Sequence, residues 1–161
     1  MRIVPQNNKN LKTTGQYLLS QPYASKQAVI IYTNASVTSG SRASMKKGIA
    51  FQADKMYQLA DELGHHLSQN GAVPHIFLQK GRHKARLISI PVWRTWKDKS
   101  FDPELLNRSL NILVELAEQC NLTDCYMSMS DLCKDQTIWN KFLMPLFKNS
   151  LNDRFVLIED L

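Results

Sequence analysis

The run Ala28-Val29-Ile30-Ile31-Tyr32-Thr33 has no polar face. A strand with one wet side alternates apolar and polar residues, whereas a continuous β-branched run belongs in a sheet buried on both faces. The neighbouring segments supply covering elements. After a Ser-, Thr- and Gly-rich loop from Asn34 to Ser44, Ile49, Ala53, Met56, Ala60, Leu63 and Leu67 recur at spacings of three and four. This pattern predicts a helix over about Met45–Gln69, closed by Asn70-Gly71.

Val73–Gln79 and Lys84–Pro91 read as strands joined by a turn at Lys80-Gly81-Arg82-His83. Asp102-Pro103-Glu104 opens a second helix, because Asp caps free N–H groups and Pro is tolerated in the first turn. Its buried stripe is Leu106, Leu110, Leu113, Ala117 and Cys120. A strand at Asp124–Met129, a third helix around Ile138, Trp139, Phe142, Leu143 and Leu146 bent or shortened by Pro145, and a last strand at Arg154–Glu159 complete the reading. Strands alternating with helices give an α/β class: a three-layer α/β/α sandwich with a mixed, mostly parallel sheet, as a single domain over residues 1–161. In such folds ligands bind beyond the carboxyl ends of the strands, which directs attention to the loops Asn34–Lys47, Trp93–Ser100 and Ser130–Gln136.

Charge adds direction. Residues 1–100 hold 15 Lys and Arg against 4 Asp and Glu, a balance of +11, while residues 101–161 hold 5 against 10, a balance of −5. This asymmetry in a basic chain points to an anionic ligand or partner, with an inert dipolar surface as the alternative. No apolar run approaches the roughly 20 residues that span a bilayer. Met1–Gln6 lacks an apolar signal core, so the expectation is a cytoplasmic protein without membrane contact. Cys120, Cys125 and Cys133 form no CxxC pair and read as reduced thiols. His65-His66 has no further ligands spaced for a metal, and Asp61 and Glu62 read as solvated surface. Neither metal nor cofactor is expected.

Several segments then meet a family. Ile90-Pro91-Val92-Trp93-Arg94-Thr95-Trp96-Lys97-Asp98-Lys99-Ser100 resembles a pattern of an apolar residue, Pro-Thr-Lys, two residues, Trp-Arg, two residues and Ser. Met45-Lys46-Lys47-Gly48-Ile49-Ala50 resembles Met-Gly-Lys-Gly-Ile-Ala. Trp139 and the terminal strand fall where the same pattern has a Trp and its last strand. These features resemble the macro domain, an ADP-ribose-binding α/β/α module, and within it the group of DNA ADP-ribosyl glycohydrolase antitoxins and short phage and bacterial relatives. The resemblance spans roughly residues 28–160. Its glycine loops are degenerate: Ala43 and Lys46 stand at two glycine places, and Asp131–Gln136 contains no glycine at all.

The resemblance implies an ADP-ribose-type or other anionic nucleotide held by Asn34, Ser44, Met45, Lys46, Lys47, Gly48, Ile49, Trp93 and Arg94. It makes Asn34 the candidate for the residue that aligns the attacked bond in hydrolases. Lys46-Lys47-Gly48 at a helix start suits a bound phosphate, which accepts free N–H groups and relieves the repulsion of lysines by the helix dipole; two solvated lysines are the alternative. Arg94 suits phosphate pairing, and Trp93 suits either base stacking or a structural plug at the sheet edge, whereas Trp96, which the pattern shares, is expected to be structural. Lys80, Arg82, His83, Lys84 and Arg86 form a basic hairpin, read as a solvated tip or a phosphate contact. Binding is ranked ahead of turnover because the shaping glycines are missing. The alternatives are a pseudo-macro domain of the phage-regulator kind that binds nucleic acid or a host protein through its basic side, and an ADP-ribosyl hydrolase.

Overall fold

In the computed structural model, which describes residues 1–6, 14–21, 23–78 and 86–161, the apolar run lies in the middle of a six-stranded sheet. The elements in chain order are β1 (Arg2–Pro5), α1 (Thr14–Ser20), β2 (Gln27–Asn34), α2 (Gly48–Tyr57), α3 (Ala60–Asn70), β3 (His75–Ile76), β4 (Arg86–Trp93), α4 (Pro103–Gln119), β5 (Asp124–Ser128), α5 (Met129–Leu132), α6 (Gln136–Ile138), a π-helical turn (Trp139–Leu143), α7 (Met144–Ser150) and β6 (Phe155–Glu159). The strand order is β1-β6-β5-β2-β4-β3. Every pair is parallel except β3 with β4, so the sheet is mixed and mostly parallel.

Alternation along β2 divides the core into two layers. Ala28, Ile30 and Tyr32 pack with α4, Trp139 and α7, while Val29 and Ile31 pack with α1, α2 and α3. Both faces of the central strand are therefore dry, as its composition requires. Asp102 caps α4 by accepting from the Leu105 N–H at 2.8 Å, with Pro103 in the first turn.

The single helix expected over Met45–Gln69 is two. Gln58 takes a left-handed conformation, φ 56°, and separates α2 from α3. A non-glycine residue there costs roughly 1–2 kcal/mol. The Asp54 carboxylate offsets it by accepting from the N–H groups of Leu59 and Ala60, at 2.8 and 3.0 Å. The residues before the break also differ, for Lys47 is extended and the helix begins only at Gly48. The strand expected over Val73–Gln79 contracts to His75–Ile76, although the Phe77 N–H still bonds to the Leu87 carbonyl. Pro74, which has no N–H to give a ladder, precedes it. Gln79 and the turn expected at Lys80–His83, with Lys84, lie outside the described residues. Pro145 follows a π-helical turn in which the Met144 N–H reaches the Trp139 carbonyl. The widened turn accommodates a ring that would crowd the preceding carbonyls of an α-helix.

Candidate functional site

Three loops that the sheet order brings together surround a cleft of about 860 Å³. They follow β2, β4 and β5, at the carboxyl ends of adjacent parallel strands, where α/β sheets leave a crevice. Lys47, Gly48 and Ile49 form one wall at the start of α2. Trp93 and Lys97 to Phe101 form another, and Ser128 with Ser130 to Asp135 a third. Thr14 and Gly15 of α1, Gln52 of α2 and Ile138 complete the lining.

The two lysines and the tryptophan segment meet as pairs. The Lys47 ammonium lies 4.8 Å from the centre of the Trp93 ring and also donates to the Asp98 carbonyl. The Lys46 ammonium lies 4.6 Å from the Trp96 ring, outside the cleft lining. Trp93 is buried along the cleft wall, whereas Trp96, expected to be structural, is 44% exposed. The cause is the length of β4, which pairs as far as Trp93 opposite Asn34 and so draws that indole inside.

The other candidates are placed as follows. Asn34 is buried; its amide donates to the Ser44 carbonyl at 2.6 Å and its oxygen accepts from the Ser36 N–H at 2.9 Å. It is absent from the cleft lining, and the geometry makes it the anchor of the loop that follows β2. Ser44 and Met45 are buried in that loop. Arg94 is exposed and pairs with Asp102 at 2.7 Å and Glu104 at 3.9 Å, which fastens it to the start of α4. Of the nine candidates, Lys47, Gly48, Ile49 and Trp93 therefore line the cleft.

The third wall is polar and closely tied. Asp160 accepts from the hydroxyls of Thr14, Ser128 and Ser130 at 2.6, 2.6 and 2.7 Å, and from the Ser130 N–H at 2.8 Å. Ser128 caps α5 through the Asp131 N–H, and Asp135 caps α6 through Thr137 and Ile138. The Trp139 indole donates to the Cys133 carbonyl at 2.7 Å, so a fully buried ring holds the loop's path. Asp131 reaches across the cleft and accepts from the Ile49 N–H at 3.0 Å. Burial, and then the neighbouring charge of Asp160, raises its carboxyl to about 6. Burial likewise pushes the Cys125 thiol up to about 12, which leaves it unreactive.

The sequence marks Asp131 and Asp135 as charges that would repel phosphate where the resembled pattern has glycines. The cap at Ser128 was signalled, because Ser128-Met129-Ser130-Asp131 has the spacing of a capping box. The contact from Asp131 to Ile49 carries no such signal.

No family model and no curated protein sequence matches the chain. Solved structures do. The macrodomain of Thermus aquaticus DarG superposes with a TM-score of 0.68 at 14% identity, covering 99% of this chain and 97% of its own. A macrodomain protein from Streptomyces coelicolor gives 0.60 at 8% identity, covering 99% of each chain. The chain has the macrodomain fold. A Thermosipho africanus DarTG solved in complex with ADP-ribose gives 0.61 at 13% identity, covering 83% of this chain and 37% of that one. Within the macrodomain fold seen here, three carboxylates on the cleft are already held by backbone N–H groups: Asp98 by Thr95, Asp131 by Ile49, and Asp135 by Thr137 and Ile138.

Proposed function

We propose that the cleft binds an anionic nucleotide of the ADP-ribose type. The observation that carries this reading is the meeting of Lys47, the α2 N-terminus and Trp93 around one open cavity, with Lys97, Lys99 and Lys134 on its rim. Lysine ammonium groups hold phosphate, and Trp93, Phe101 and Ile138 offer apolar surface to a ribose or base. The complex of the Thermosipho africanus DarTG with ADP-ribose supports the ligand class. Asn34 is engaged at both ends of its amide, which favours binding over hydrolysis.

Isothermal titration with ADP-ribose, with AMP and ADP as comparators, tests the proposal. Lys47→Ala is expected to weaken ADP-ribose about tenfold, since a charge-assisted hydrogen bond is worth roughly 1.5–3 kcal/mol. Equal affinity in the variant removes Lys47 from the site, and no heat with any of the three nucleotides contradicts the reading.

A second reading has one observation of its own. Trp96 stands exposed beside a groove of about 320 Å³, with the Lys46 and Lys97 ammonium groups 4.6 and 5.4 Å from its ring. An exposed indole flanked by cations suits a stacked base of a single-stranded nucleic acid. On this reading Trp96→Ala lowers retention of an oligonucleotide severalfold, and retention falls as salt rises. Retention that ignores both the substitution and the salt contradicts it.

A further inference from the structure

Helix α2 presents its free N–H groups to the cleft, and one of them is already taken by an anion of the chain itself. The Asp131 carboxylate accepts from Ile49 N–H at 3.0 Å although 82 residues separate the two. It also presses against Gly48: a Cβ built on that glycine would lie 1.8 Å from Asp131 Oδ1, and Gly48 has φ +53°. The glycine therefore makes room for the carboxylate. Asp131 is fixed from behind as well, since its own N–H is capped by Ser128, whose hydroxyl is bound to Asp160.

We propose that Asp131 is the specificity-determining residue of this cleft: its carboxylate occupies the start of α2 in place of a ligand phosphate, and the ligand's negative charge is confined to the lysine side. This rests on the reading that the cleft takes an anionic nucleotide. A carboxylate and a phosphate cannot share the same N–H group, and two anions within a few ångströms repel. The ligands selected carry charge toward Lys47 and a hydroxyl or other neutral group toward Asp131. A ligand that spans both ends must displace Asp131 or meet it protonated.

The groups that bear on its charge are Asp160 just past β6, the Tyr32 phenol from β2 and Lys134 from the following loop, with Lys47, Asp98 and Asp135 on the same cleft. Burial and Asp160 favour the neutral acid. The diphosphate diester of ADP-ribose keeps its charges between pH 5.5 and 7.5, so the protein's own groups control any change of affinity over that range.

The experiment is calorimetry with ADP-ribose at pH 7.5 and 5.5 on the full chain and on Asp131→Asn. Asparagine keeps an acceptor for Ile49 N–H and removes the charge. The expected results are tenfold or tighter binding by the variant at pH 7.5, and about tenfold tightening of the wild type on acidification, absent from the variant. Binding by the variant alone supports the role of Asp131 and contradicts ADP-ribose as the ligand of the native cleft. Wild-type binding that neither the substitution nor pH changes overturns the role of Asp131 and leaves the nucleotide site standing. Failure of both proteins to bind at either pH overturns both. The wild-type pH response stands as a test by itself where the variant folds poorly.

Discussion

Trp139→Ala is expected to lower the unfolding free energy by about 3–5 kcal/mol, the range for deleting a large buried aromatic side chain. The indole is fully buried and meets Phe147 edge-on, with ring centres 5.1 Å apart. It belongs to the layer formed by β2, β4, α4 and α7. Alanine leaves a cavity there, and it also strips the Cys133 carbonyl of its donor. Domains of this size hold roughly 5–15 kcal/mol in reserve, so the variant stands near the limit of folding. Urea denaturation measures the loss, and a change below about 1 kcal/mol contradicts this packing. Trp139→Phe is the informative companion. It retains much of the volume but not the hydrogen bond, so its main effect falls on the loop Ser130–Asp135 and hence on ligand affinity.

Gly64→Ala gives the second large effect, with a sign opposite to helix propensity. In an open helix the change stabilises by about 1 kcal/mol. Here a Cβ would lie 2.1 Å from the Ser41 carbonyl oxygen, 2.7 Å from the Ala43 nitrogen and 2.7 Å from the Arg42 carbonyl carbon. All three are backbone atoms and cannot swing aside as a side-chain tip does. The Ala43 N–H also bonds to the Ala60 carbonyl at 2.9 Å, which ties the same segment to the start of α3. The substitution must therefore separate α3 from the loop or shift both, at a cost of about 2–3 kcal/mol for overpacking. Thermal unfolding with a lower midpoint is the expected result, and a higher midpoint refutes the close approach. Because this loop continues into Ser44–Lys47, weaker nucleotide binding accompanies the loss.

These contacts mark the boundary of what the sequence makes legible. The central strand and α4 depend on local patterns: an unbroken apolar run in one case, a cap, a proline and a periodic stripe in the other. The break between α2 and α3 depends on Asp54 reaching Leu59 and Ala60, and hydrophobic spacing runs through it undisturbed. Strand β1 is mostly exposed and finds its partner, β6, at the far end of the chain, so neither burial nor a short turn announces it.

The site divides in the same way. Lys47 and Trp93 could be brought together by reasoning about the ends of neighbouring strands. Which tryptophan turned inward was set by the register of β4, which no local motif reports. The contact of Asp131 with Ile49 is longer in range still. It joins loops that neither one's residues describe alone.

The most direct test of the account is an amide nuclear magnetic resonance titration of the full chain with ADP-ribose. The account predicts saturable shifts at Lys47–Ile49, Trp93 and Ser130–Cys133, together with the Trp93 indole signal. Saturating ADP-ribose that leaves those signals in place, or shifts confined to residues away from the cleft, would contradict it.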